Sequence, residues 1–492
     1  MPNRTTTVVE GGAVITVDED RRVLDPGGIV VEEDRIVAVD ELETIRNDYS
    51  ADVEIDATHA VLLPGLVDTH GHAGHSLTKG LGVGSDDGWM GTVQSVYFHA
   101  STEEFWEAES YLSALEHLEM GVTTSLSFPG SSPRTDDPKY AIAAAEGFAD
   151  LGLRHIVNIG PPNPPYPKSY TDARTGTERK VSLDDAIDTT ATVIDTLDGT
   201  EEGRLSVYIG PSSLIPEFVQ DGESRPAGLV EDEFVPGEGE PSEASVEQLE
   251  QVVKLATTKE TKIHTHAFGG QVEAAADVVP EALSPDLSLA HCSGLSAAEL
   301  ELMADNGVSA SHGPLTHAYV RSRFPLIEAL EAGVNVAIST DGSAPDRSFD
   351  LLSQGRIAAQ LQRVHFNDTS LLPAGKVLEM MTIDAASALG MADEVGSLEP
   401  GKKADIIGID LDSAKLRPRT SLVHRVANYA SGADTEFVMV DGEVLMQNGQ
   451  LRDVDADSIL QRADKVAMET FERAGVLDML EDQPNTWGGV RY

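Results

Sequence analysis

The chain has 492 residues and is 40% hydrophobic, enough to bury the core of a large barrel with a smaller domain attached. Its 83 acidic residues face 35 basic ones, 12 Lys and 23 Arg, for a net charge of −48. That sign argues against a nucleic-acid or anionic-membrane partner. An acidic surface poor in Lys resembles proteins adapted to high salt, where screening relieves self-repulsion, so a halophilic source is expected. The single cysteine, Cys292, allows no intrachain disulfide and fits a reducing cytoplasm. The N-terminus carries no secretory pattern, and no run of about 18 apolar residues marks a membrane span.

Residues 5–61 read as short strands. Val8-Val9, Ala13–Val17, Ile29–Val31 and Ile36–Val39 are apolar and β-branched, punctuated by Gly11-Gly12 and Pro26-Gly27-Gly28. The same texture returns in Ala404–Ile409, Phe437–Val440 and Val444–Met446, with a hairpin turn expected at Asp441-Gly442. Residues 1–62 and 391–450 are therefore expected to form one small β-sandwich domain built from both chain ends.

Between them, residues 63–390 alternate short apolar strands with helical segments. The eight strand candidates are Val61–Val67, Val122–Phe128, Leu153–Ile159, Leu205–Ile209, Thr261–His266, Leu287–His291, Gly307–Ser311 and Val334–Thr340. Helices are expected between most of them, among them Glu103–Met120, Ala141–Asp150, Val246–Thr257, Ala297–Ala304 and Phe324–Ala332. The expected fold is α/β, a TIM-like (β/α)8 barrel; an open doubly wound sheet is the alternative, but no GxGxxG turn follows the first strand. Long connections at 73–102 and 211–245 follow strand C-termini, where barrel active sites are built. The acidic middle of the second reads as solvated decoration. Residues 451–492 read as an amphipathic helical extension ending in a tail of about a dozen residues.

The chemistry sits at strand ends. The run Pro64-Gly65-Leu66-Val67-Asp68-Thr69-His70-Gly71-His72 ends in His-x-His, and residues i and i+2 of a strand share a face. Two imidazoles so placed can share a metal ion. A second His-x-His occurs at His264-Thr265-His266. His291, His312 and Asp341 each end a later strand, 25, 21 and 29 residues apart counting from His266. Each step is about one βα unit, so these groups converge on one barrel mouth. Spacing alone does not choose between His264 and His266.

These residues resemble the amidohydrolase superfamily, in the branch with chlorohydrolases, guanine deaminases and S-adenosylhomocysteine deaminases. The resemblance is carried by PGLVDTHGH at 64–72, IHTH at 263–266, AHC at 290–292, ISTDG at 338–342 and GSLEPGKKADIIGID at 396–410. It implies His70, His72, His266 and Asp341 as metal ligands, with His264 structural. It makes Asp341 the proton acceptor and places His291 beside the hydrolytic water. Binuclear relatives carry a modified Lys at the end of the fourth strand; Tyr208-Ile209-Gly210-Pro211 has none, so one divalent ion is expected, Zn²⁺ ahead of Fe²⁺ or Mn²⁺.

The expected reaction is hydrolysis of a non-peptide C–N bond in a cyclic amidine, amide or heteroaromatic amine. Hydrolytic dehalogenation and a non-catalytic metal-binding relative are the alternatives. Deaminases of this branch carry a proton-donating Glu three residues after the fifth-strand His, and this chain has Gly269 there. Ser212 also stands where relatives often have His. Glu273 or Gln271 could substitute for the Glu. His312, Trp89 and Gln271 are the candidate substrate contacts. His75 and His317 read as surface or supporting residues, and Cys292 as buried and inert. A small-molecule substrate is expected, and a homodimer is usual for the family.

Overall fold

Eight parallel strands carry the middle of the chain in the computed structural model, which describes residues 5–82, 88–230, 233–320 and 322–480. They are β1 (Leu66–Ala73), β2 (Val122–Pro129), β3 (Arg154–Ile159), β4 (Leu205–Ile209), β5 (Ile263–Phe268), β6 (Leu287–Ser293), β7 (Ser309–His312) and β8 (Val336–Ile338). They pair in that order, every pair parallel. The segment after β8 returns to β1. The Asp341 amide donates to the His70 carbonyl at 2.9 Å, and the Thr340 amide donates to Asp68 Oδ1 at 3.0 Å. The eight strands thus form a nearly closed barrel. β3, β5 and β6 are buried along their whole length, as expected of parallel strands walled by helices.

The outer helices start where Ser precedes an apolar-periodic run. Ser182 and Ser296 form capping boxes with Asp185 and Glu299, ahead of helices Leu183–Leu197 and Ala297–Asp305. Ser242 accepts from the Ser245 amide at the head of Glu243–Lys259.

The first strand corrects the sequence expectation. The apolar run at 61–67 is not one strand. Val53–Pro64 belongs to a second sheet, and β1 starts at Leu66. That second sheet has nine strands drawn from both ends of the chain. Val53–Pro64 is its seam. On one side it pairs parallel with Thr6–Ile15; on the other it pairs antiparallel with Ile406–Asp410, in the register Ile406↔Pro64 to Asp410↔Ala60. One apolar cluster joins Val9, Ile29, Ile36 and Leu62 to Ile406, Phe437 and Met439. The expected hairpin is present: Asp441 and Gly442 both have positive φ, 48° and 78°, as a two-residue type I′ turn requires.

The long connection after β1 contains the helix Gly88–Ser95 and a π-helical turn, Val96–Ala100. The C-terminal helix Ala456–Ala474 packs against this segment and against Glu103–Glu119. Its Ala463, Val466 and Phe471 share a buried cluster with Trp89, Val93 and Trp106, and Arg462 pairs with Glu107 at 2.6 Å. The tail expected for the last dozen residues lies outside the described residues. Among the described residues, no helix is long and apolar enough to cross a membrane.

Candidate active site

His70 and His72 project from β1, His266 from β5, and Asp341 follows β8. Asp341 Oδ1 lies 3.1 Å from His70 Nε2 and 3.2 Å from His72 Nε2, and His266 Nε2 lies 3.4 Å from His72 Nε2. His291, near the end of β6, stands farther out, its Nε2 4.0 Å from Asp341 Oδ1. One ligating atom each from His70, His72 and His266 lie within 4.8 Å of one another, as do those of His70, His291 and Asp341. The carboxyl ends of four strands therefore aim their donors at one small volume.

The surrounding backbone sets which nitrogen faces that volume. His72 Nδ1 donates to the Gly130 carbonyl and His266 Nδ1 to the Ser212 carbonyl, both at 2.8 Å. A carbonyl only accepts, so Nε2 of each ring is left with its lone pair. His70 Nδ1 meets His264 Nε2 at 2.8 Å, and His264 Nδ1 meets Ser288 Oγ at 2.7 Å. His264 thus holds His70 in place rather than joining the cluster. His70 Nε2 is buried without a partner in hydrogen-bond geometry. An orphaned lone pair beside two other free imidazole nitrogens and a carboxylate fits a single divalent ion.

Electrostatics agree. Burial drives the imidazoles of His70 and His291 well below their usual range and that of His266 down to about 3. They are neutral near pH 7, the state a ligand needs. Burial by itself would raise the Asp341 carboxyl. Arg347, with Nη2 at 3.6 Å from Oδ2, together with the neighbouring imidazoles holds it well below the usual carboxylate range. Thr316 Oγ1 donates to the same Oδ2 at 2.6 Å, leaving Oδ1 to face the histidines.

A cavity of about 180 Å³ opens over this cluster. His72, His266, His291 and Asp341 form its floor. Its walls include Trp89, Met90, Phe98, Asn163, Lys168, Ser212, Ser213 and Phe268. Trp89, expected as a substrate contact, lines this cavity. His312 and Gln271 are not among the lining residues, which corrects both expectations. Gln271 opens a helix, and its Oε1 accepts from the Phe268 amide at 3.3 Å. His312 stacks on Phe324 with ring centroids 4.8 Å apart and lines a second cavity with His317 and Arg323.

His75 is buried, stacks on His72 at 5.0 Å and lines the main cavity; it is not a surface residue. Its loop is held by the buried Glu109 carboxylate, which accepts from the amides of Ser76 and Leu77 at 3.0 and 2.8 Å. His317 is a supporting residue: its Nε2 lies 3.1 Å from the His291 carbonyl. His291 and Cys292 have φ of 66° and 52°, a strained pair at the β6 bulge. Cys292 is fully buried, with its thiol pushed up by burial. The acidic connection after β4 does more than decorate the surface. Its Phe234 packs on Phe268 at 4.8 Å and lies 5.7 Å from the His291 ring.

The structure supplies a reason for Gly269. A Cβ there would sit 2.4 Å from the Gly294 carbonyl oxygen, so no side chain fits without moving backbone. Glu273, the sequence's possible replacement, is exposed on the following helix. Gly269→Ala is expected to cost about 1–3 kcal/mol of stability, read as a lower denaturant midpoint. An unchanged midpoint would show that the Gly294 segment can yield.

A nearly closed parallel barrel with this cluster at the carboxyl ends of its strands is the frame of a metal-dependent hydrolase. The chain belongs to the amidohydrolase family, whose model matches residues 61–445. It is 28% identical over 486 residues to a 5'-deoxyadenosine deaminase of Methanosarcina barkeri, covering 95% of this chain and 98% of that protein. An adenosine deaminase from Xanthomonas campestris with bound zinc superposes with a TM-score of 0.77 at 23% identity, covering 96% of this chain and all of that one. An atrazine chlorohydrolase from Arthrobacter aurescens complexed with zinc gives 0.71 at 23% identity, covering 94% of this chain and all of that one. The chain is an amidohydrolase-type enzyme acting on carbon–nitrogen bonds other than peptide bonds.

Proposed function

We propose that the chain is a mononuclear metal-dependent hydrolase that cleaves a C–N bond in a compact heterocyclic amine, amidine or amide. The observation that carries this reading is the convergence of His70, His72, His266 and Asp341 on one small volume, with the last three lining the cavity and His70 buried just behind it. Those four residues would hold the ion. Three imidazoles and one carboxylate suit Zn²⁺, and no Lys at the end of β4 offers a bridge to a second metal. When bound, the ion supplies the Lewis acidity that makes water a competent nucleophile near neutral pH.

The chain's own groups do the rest. Asp341, fixed by Thr316 and Arg347, accepts a proton from the attacking water and returns it to the leaving nitrogen. His291 hydrogen-bonds the oxygen that gains charge as the C–O bond forms. Trp89 and Phe268 offer flat faces to a ring. The cavity is smaller than the roughly 300–1,000 Å³ usual for drug-sized ligands, which favours one or two rings over a nucleoside with a long tail.

The same reading takes the nine-stranded sheet as the small β-sandwich of residues 1–62 and 391–450, the barrel as 63–390 and the remainder as an extension. The cluster shared by strands from both ends supports it. It takes the −48 charge as adaptation to high salt.

The test is a screen of heterocyclic amines, amides and halides with Zn²⁺ supplied, at low and at molar KCl. Release of ammonia or an amine, faster at molar KCl, is the expected outcome. Halide release alone would move the reading to dehalogenation. No turnover by protein carrying a full equivalent of metal would count against an enzyme of this class.

A further inference from the structure

Lys168 is out of place in the electrostatics of this chain. Nine of the twelve lysines pair with a carboxylate. Lys180 and Lys254 are exposed and need no partner. Lys168 alone is half-buried with neither an ion pair nor a side-chain hydrogen bond, in a protein with 83 acidic residues to choose from.

It opens the strand Lys168–Asp172, in a hairpin that follows β3, and it lines the cavity above the histidine cluster. It is the only Lys or Arg among the described residues that line this cavity. The only carboxylate among the described lining residues, Asp341, is already engaged by Arg347, Thr316 and the histidines. Burial draws the Lys168 ammonium below its usual range, so leaving it unpaired costs stability. Asn163, also on the wall, donates from Nδ2 to Ser213 Oγ at 3.3 Å while its Oδ1 is buried without a partner. A free cation and a free amide acceptor thus share the wall opposite the metal-binding floor.

We propose that Lys168 is the subsite for a carboxylate carried by the substrate, with Asn163 accepting an N–H of the same ring. This rests on the hydrolase reading above and narrows its substrate to an anionic heterocycle. A single ammonium balances a carboxylate monoanion, whereas a phosphate dianion draws on further donors, commonly the fork of an Arg, that this wall lacks. The contact is short-range and desolvated, so it survives at salt concentrations that screen the repulsive field of the whole chain.

The experiment uses the full chain loaded with Zn²⁺ and two probes, cytosine-6-carboxylate, whose ring N1–H adjoins the carboxylate and whose amine leaves from C4, and its matched 6-carboxamide. Affinity is measured by calorimetry and turnover by ammonia release. The carboxylate is expected to bind roughly 10- to 100-fold more tightly. Lys168→Met is expected to remove that preference while leaving carboxamide affinity unchanged, and Lys168→Arg to keep most of it. Equal binding of the two probes, no binding of the carboxylate, or a preference that survives Lys168→Met would overturn the proposal. If the preference follows Lys168 but ammonia is not released, the subsite stands and the proposed deaminating reaction is what fails.

Discussion

Asp341→Asn is expected to lower the hydrolytic rate by about 10²- to 10⁴-fold, the range general-base catalysis supplies. Asn keeps the volume and one oxygen, so the barrel seam, where the Asp341 amide meets the His70 carbonyl, is undisturbed. What it loses is the charge that Arg347 and the imidazoles hold ionised, and the ability to take a proton. The three histidines remain, so metal content should persist at or above about half an equivalent. Rate assays alongside metal analysis separate the two roles. Wild-type activity in the Asn variant would remove Asp341 as the base. Loss of metal together with activity would make it chiefly a ligand.

Stripping the metal is expected to have the larger effect: complete, reversible loss of hydrolysis, regained on addition of Zn²⁺. Stability should fall as well, because an ion that binds only the folded chain contributes RT ln(1 + [L]/Kd), about 2.7 kcal/mol at a hundredfold excess over Kd. The stripped protein keeps His70 Nε2 fully buried, 3.1 Å from Asp341 Oδ1 but outside good hydrogen-bond geometry. Calorimetry with and without chelator measures the stability change, and activity on the same samples gives the other half. Full activity in protein freed of metal would end the hydrolase mechanism proposed here.

The strand tops were legible because two simple periodicities coincide there. Alternation puts His70 with His72, and the βα repeat brings His266, His291 and Asp341 to the same end. Other features depend on facts that no local pattern records. The first barrel strand was misplaced because 61–67 reads as one apolar run, although Pro64-Gly65 interrupts it and the residues before that break serve another sheet. His312 ends a barrel strand just as the site residues do, but it turns to Phe324 and away from the cavity. Gln271 is spent on a backbone amide. His75 looked peripheral in a Gly-rich loop because the Glu109 carboxylate that pins the loop lies more than thirty residues further on. The isolation of Lys168 is the absence of a partner, which sequence cannot display.

The seam between Val53–Pro64 and Ile406–Asp410 bears on how the molecule comes into being. Strands separated by more than three hundred residues must meet before the second sheet is whole, and the chain enters the barrel at Leu66 directly from that seam. Loop closure over such distances is slow, and contacts of this range are made late. A nascent chain that has not yet reached Ile406 can hold the barrel strands yet lack the partner that anchors the entry to β1. Until Ile406–Asp410 has been made, the free edge of Val53–Pro64 is an apolar strand edge exposed to aggregation.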